Sequence, residues 1–127
     1  MRRMELQQDL QPASPRARIL IVEDEVLTRM ALAEELREAG YSVVEAANAD
    51  AAMAYLRTYA QVDLVLSDIK MPGSMDGLEL ARRLGVEYPS LPVLLASASS
   101  PGVETVIPKP YDMERVLSVI SKALQRE

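Results

Sequence analysis

The chain has 127 residues, 49% of them hydrophobic and 26% charged, and a formal net charge of −5; this suffices for one domain with a single core and disfavours a general binder of nucleic acid or anionic membrane. Cysteine and histidine are both absent, which excludes disulfides, thiolate or imidazole metal sites, a cysteine nucleophile, a Ser-His-Asp triad and a histidine phosphocarrier within the chain. Trp and Phe are absent too, so no large aromatic platform exists to stack bases.

Residues 1–17 read as a flexible N-terminal tail, with the domain expected over 18–127. Pro12, Ser14 and Pro15 break any regular element, and residues 4–10 make too short a helix to stand alone. No apolar stretch follows the start in the manner of a secretory signal, and no run approaches membrane-spanning length. The default expectation is a cytoplasmic protein.

Ile19-Leu20-Ile21-Val22 is a short, β-branched apolar run that reads as the first strand. It ends in Glu23-Asp24-Glu25. Capping the next helix explains one of these carboxylates but does not need all of them. Residues 26–39 have a helical pattern, with Val26, Met30, Ala33 and Leu36 on one face and Gly40 as the stop. Residues 41–46 predict a second strand. Asn48 is a good N-cap for an Ala-rich helix over 49–57, with Ala52, Met53 and Leu56 inward.

Leu64-Val65-Leu66-Ser67-Asp68 is a continuous apolar run closing on a carboxylate, the signature of a strand buried on both faces. Pro72, Gly73, Ser74 and Gly77 then supply turn chemistry, and Leu78, Leu80, Ala81 and Leu84 mark a helix from near Asp76 to about Glu87. A fourth strand is predicted over 92–96, opened by Pro92 and followed by Ser97. A short fifth strand is predicted from Glu104 or Thr105 to Ile107, before Lys109. The last helix is predicted over 112–125, with Met113, Val116, Leu117, Ile120 and Leu124 on one face. Strands alternating with helices imply an α/β fold with a parallel sheet and helices on both faces.

In such a sheet the carboxyl ends of the strands face the same way, and ligands bind there. This gathers Glu23, Asp24, Glu25, Asp68, Ser97 and Lys109 at one edge. Clustered carboxylates repel unless a cation joins them, and oxygen donors without His or Cys suit Mg²⁺. A lysine and a hydroxyl suit phosphate oxygens. Taken singly, Glu23 to Glu25 could be a solvated helix start, Ser97 could belong to a turn in a serine-rich loop and Lys109 could be a surface lysine. Jointly the constellation reads as phosphoryl transfer to a carboxylate, with the aspartate as nucleophile. An aspartate-nucleophile phosphatase would need a second aspartate two residues on, where Ser67-Asp68-Ile69-Lys70 has a lysine.

Ile21-Val22-Glu23-Asp24-Glu25, Ser67-Asp68, Met71-Pro72, Met75-Asp76-Gly77, Ser97-Ala98 and Lys109-Pro110-Tyr111 together resemble the receiver domains of two-component response regulators, over about residues 18–124. The resemblance implies a flavodoxin-like, doubly wound, parallel five-stranded sheet of order 2-1-3-4-5. It implies Asp68 as phosphoacceptor, with Ser97 binding a phosphoryl oxygen and Lys109 pairing with the phosphoryl group. Mg²⁺ would be held by Asp24, Asp68 and the backbone carbonyl of Lys70, with Glu23 acting mainly through water. It further implies a cis peptide between Lys109 and Pro110, and a modulating position at Ser99. The implied partners are a separate histidine kinase or histidine phosphotransfer protein and an output protein. No direct DNA or membrane binding is expected, because no effector follows the last helix, and the expected state is a monomer or weak dimer. The alternative is a pseudo-receiver, a constitutive binding module that is never phosphorylated.

Three departures stand out. The loop 71–77 is one residue longer than the usual Met-Pro-x-Met-Asp-Gly. Val106 occupies the position of an aromatic switch residue, so the usual serine-to-aromatic switch cannot operate unchanged. The segment between Ser97 and Lys109 is too short for a full crossover helix, so the helix between strands four and five is expected to be missing or reduced to about a turn.

Overall fold

The computed structural model describes residues 16–58, 61–98 and 106–125. Its elements in chain order are β1 (Arg18–Val22), α1 (Val26–Glu38), β2 (Ser42–Ala46), α2 (Ala49–Thr58), β3 (Leu64–Asp68), α3 (Gly77–Glu87), β4 (Val93–Ser97), β5 (Val106–Pro108) and α4 (Met113–Gln125). The strands form one parallel sheet of order β2-β1-β3-β4-β5, the doubly wound order that the resemblance to receiver domains implied. Most of the expected tail, residues 1–15, lies outside the described residues. So do residues 99–105, on which the expected loss of a crossover helix falls.

The apolar runs become the middle of the sheet because both of their faces are covered. Alternate side chains of a strand point to opposite faces. Ile19, Ile21, Leu64 and Leu66 pack against α1 and α4 through Leu32, Ala33, Leu36, Val116 and Ile120. Leu20, Val22 and Val65 pack on the other side against α2 and α3 through Ala52, Met53, Leu56, Leu80 and Leu84. Met113, Leu117 and Leu124 of α4 are half-buried against the first cluster, as their spacing predicts.

Two prolines shift strand boundaries. Pro92 precedes β4 rather than opening it, and offers only its carbonyl, which accepts from the Val65 amide at 3.0 Å. Pro108 closes β5, opposite Ser97, because an edge strand tolerates a residue without an N–H. Gly40 ends the first helix region at φ 105°, a conformation that favours glycine.

The inward face of α1 differs from the expected one. Leu32, Ala33 and Leu36 are buried, whereas Val26 and Met30 are 50% and 54% exposed. The reason is a charged residue in the inward stripe. Arg29 sits at the i, i+3, i+4, i+7 spacing with Leu32, Ala33 and Leu36, and it fills the place the apolar pattern assigned to Val26 and Met30. In α3, likewise, Leu80 and Leu84 face in while Leu78 is 55% exposed.

Candidate functional site

The carboxyl ends of β1, β3, β4 and β5 converge at one edge of the sheet. Asp68 ends β3, opposite Ala96 of β4, and its carboxylate is largely buried. Glu23 and Asp24 follow β1 directly, the first 1% exposed and the second open to solvent. One carboxylate oxygen from each of Glu23, Asp24 and Asp68 lies within 4.8 Å of the others. Lys109, just past β5, reaches into this group: its Nζ is 2.7 Å from Glu23 Oε1 and 3.4 Å from Asp68 Oδ2. Ser97 ends β4 as a buried residue, and its carbonyl accepts from the Lys109 amide at 3.2 Å. The Lys109–Pro110 peptide is cis, as expected.

Glu25 plays a different part. Its Oε1 accepts from the amide and the hydroxyl of Thr28, each at 2.8 Å. It is the N-cap of α1, and the Thr28 hydrogen bonds hold its carboxyl below the ordinary value. The acidic run thus divides into one cap and two site residues.

The loop after Asp68 is pinned by Gly77. Its amide donates to the Ile69 carbonyl at 2.8 Å, and a β-carbon there would overlap the Asp68 carbonyl oxygen and crowd Ile69 Cα at 2.8 Å. Asp76 caps α3 by accepting from the Glu79 amide at 2.9 Å. Within the loop Met71 and Met75 are buried, Gly73 takes φ 111°, and the Ser74 hydroxyl donates to Asp50 Oδ2 at 2.7 Å. The longer loop therefore keeps both methionines in the core. Lys70 is exposed and borders a shallow open pocket with Met71, Pro72 and Asp76. Val106 is buried in β5 opposite Leu95. Ser99 lies outside the described residues.

The electrostatics follow from burial and crowding. Desolvation, then the charge of Glu23, pushes the Asp68 carboxyl above its ordinary value, while Lys109 pulls it back. Burial alone would lower Lys109, but hydrogen bonding to and the charges of Glu23 and Asp68 raise it. Burial likewise raises the Tyr111 hydroxyl, and the Tyr111 ring centroid lies 5.9 Å from Lys109 Nζ. The site is a set of carboxylates held together by one lysine and still short of positive charge.

The sequence reading missed Arg29. Its Nη1 donates to the Glu23 carbonyl at 2.9 Å and its Nε to Glu45 Oε1 at 3.2 Å. The available signal was its position in the stripe of Leu32, Ala33 and Leu36, where the positional pattern favours an apolar residue.

A family model for the response regulator receiver domain matches residues 19–121. The chain belongs to that family. It is 34% identical to the transcriptional regulatory protein PdtaR of Mycobacterium tuberculosis, over 93% of this chain and 61% of that protein. It is 34% identical to the response regulator protein FleR of Pseudomonas aeruginosa, over 84% of this chain and 24% of that protein. The chain thus spans from about a quarter to three-fifths of the length of these curated relatives. Among solved structures it is similar to the receiver domain of the hybrid histidine kinase CckA, at 36% identity and a TM-score of 0.74, covering 86% of this chain and all of that one. It is also similar to the response regulator TrrA of Thermotoga maritima, solved in complex with Mg²⁺-BeF, at 30% identity and a TM-score of 0.76, covering 84% of this chain and 98% of that one. This receiver domain is therefore a signalling domain of two-component systems.

Proposed function

We propose that this receiver domain accepts a phosphoryl group on Asp68 from a phosphohistidine of a separate histidine kinase or phosphotransfer protein. A carboxylate oxygen of Asp68 attacks phosphorus, an O–P bond forms, and the N–P bond of the donor breaks. The observation that carries this reading is the placement of Asp68 at the buried end of β3, with Lys109 at 3.4 Å and the carboxylates of Glu23 and Asp24 beside it.

The donor set fits Mg²⁺: clustered carboxylate oxygens with neither cysteine nor histidine in the chain. Asp24 and Asp68 would hold the ion, with the Lys70 carbonyl as a third ligand and Glu23 acting through water. When bound, the ion neutralises charge on the carboxylates and on the phosphoryl oxygens. Lys109 sits beside the acceptor oxygen, where its ammonium can follow the phosphoryl group as charge builds on it. Ser97, on the neighbouring strand, offers a hydroxyl to a phosphoryl oxygen. The phosphorylated state then alters partner binding, or the domain drains phosphate from a shared kinase. A constitutive binding module has no need of an intact acceptor, acidic pair and lysine meeting in one place.

The test is incubation with a small phosphodonor, such as phosphoramidate, and Mg²⁺, read by intact mass. The wild-type chain gains one phosphoryl group and Asp68→Asn gains none. A gain that persists in Asp68→Asn overturns the assignment.

A further inference from the structure

We propose that Arg29 is a positioning residue for the acidic cluster, holding the Glu23-Asp24-Glu25 turn in the orientation that presents the Glu23 and Asp24 carboxylates to Asp68. The claim rests on the reading of these carboxylates as a cation and phosphoryl site.

Glu23 is 1% exposed, so each of its polar atoms needs a partner inside the protein. Its amide donates to the Ala46 carbonyl at 3.0 Å. Its Oε1 accepts from Lys109 at 2.7 Å and its Oε2 from the Glu25 amide at 3.0 Å. Its carbonyl accepts from Arg29 Nη1 at 2.9 Å. The guanidinium is anchored in turn: Nε pairs with Glu45 Oε1 at 3.2 Å, and Glu45 Oε2 pairs with Arg37 at 3.5 Å. Ala46 and Glu45 are neighbours on β2. The two polar groups of the Glu23 backbone are therefore tied to the same strand end, one directly and one through Arg29.

Asp24 follows at once, and its exposed carboxylate is aimed by the turn rather than by packing. Without Arg29 the Glu23 carbonyl is buried without this donor and, among the described residues, Glu45 keeps the exposed Arg37. The turn would rotate to satisfy the carbonyl, moving Asp24 and Glu23 relative to Asp68. Arg29 is not one of the metal or phosphoryl groups; it acts through the peptide of Glu23. A guanidinium suits the task because its fork serves the carbonyl and the carboxylate together, whereas an ammonium is a point charge.

The experiment uses the full chain with Arg29→Ala, Arg29→Lys and Glu45→Gln. Amide hydrogen exchange is measured without metal, and the Mg²⁺ midpoint is followed through backbone NMR shifts around Asp68. In Arg29→Ala, exchange at residues 24 and 25 should rise about tenfold and the Mg²⁺ midpoint should rise about tenfold, the scale seen when a partner that orients a ligand is removed. Amides of β4 and α4 should exchange as in wild type. Arg29→Lys should fall part-way, and Glu45→Gln should move the same readouts by a smaller factor. A wild-type midpoint together with unchanged exchange at 24 and 25 overturns the proposal, read in Arg29→Lys if Arg29→Ala does not fold. A uniform rise in exchange across the sheet also overturns it, because that marks lost stability alone. If the wild-type chain takes no phosphoryl group, the receiver reading fails, and exchange at 24 and 25 still decides the role of Arg29.

Discussion

Lys109 Nζ lies 2.7 Å from Glu23 Oε1, joining the end of β5 to the end of β1 across 86 positions of sequence. The lysine spends its best contact on Glu23 rather than on Asp68, 3.4 Å away. It is both a neighbour of the acceptor and the counter-charge that makes a buried glutamate tolerable.

That pairing predicts an asymmetric cost. Lys109→Met keeps the aliphatic bulk but strands a nearly fully buried carboxylate. Breaking a buried pair from one side costs about 3 kcal/mol or more, so urea midpoints should fall well below wild type. Glu23→Gln in the same background should recover part of the loss, since the buried Glu23 charge is gone and only Asp68 is left without its lysine. A double variant no more stable than Lys109→Met alone would contradict this account.

The raised pKa of Asp68 fixes the direction of a second effect. In the window above the ordinary carboxylate value, the folded chain still holds the Asp68 proton and the unfolded chain has lost it. Stability contributed by this residue therefore falls as pH rises through that window. At pH 7 without metal, the ionised carboxylate is a cost, caused first by desolvation and then by Glu23. Asp68→Asn should thus be more stable than wild type at pH 7, with the gap closing below the ordinary carboxylate pKa. Mg²⁺ should raise the wild-type melting temperature and leave that of Asp68→Asn nearly unchanged. Urea titrations at both pH values, with thermal melts at increasing Mg²⁺, check both parts.

Gly77 holds the loop against the acceptor strand, and no flexible side chain is there to give way. The atoms that a new β-carbon would meet are the backbone of Asp68 and Ile69. Gly77→Ala must therefore shift the loop or the start of α3. A cost of about 1–3 kcal/mol is expected from overpacking, together with slower phosphorylation of Asp68. Gly85, whose β-carbon would meet nothing within 4 Å, is the control: Gly85→Ala should be neutral or stabilising. A harmless Gly77→Ala would show that the loop yields freely.

Much of this was legible in the chain. Apolar runs closing on Asp68 and on Glu23-Asp24 marked two of the three interior strands, because a strand buried on both faces must be apolar throughout. Their alternation with helical spacing gave the winding. Glu25 was harder, because a cap and a ligand look alike until the Thr28 amide is seen to claim the carboxylate. Arg29 was missed because a hydrophobic pattern has no symbol for a half-buried charge whose partners, Glu45 and the Glu23 carbonyl, come from elsewhere in the chain. The end of β5 was misplaced at Ile107 because Pro108 reads as a strand breaker until β5 is known to be an edge.

Lys70 separates two functions that a single residue can combine. Its proposed metal contact is a backbone carbonyl, which any side chain leaves in place. The side chain itself is exposed two residues beyond Asp68, bordering an open pocket with Met71, Pro72 and Asp76. It is therefore free to act on the water that would hydrolyse an acyl phosphate at Asp68, through its charge and bulk. Lys70→Glu and Lys70→Ala should change the lifetime of phosphorylated Asp68 more than the Mg²⁺ midpoint. Stability should move by no more than about 0.5 kcal/mol, as for most exposed substitutions. Decay of the phosphorylated mass over time, measured beside a Mg²⁺ titration, distinguishes the two effects. Equal decay in wild type and both variants would place control of the lifetime elsewhere in the site.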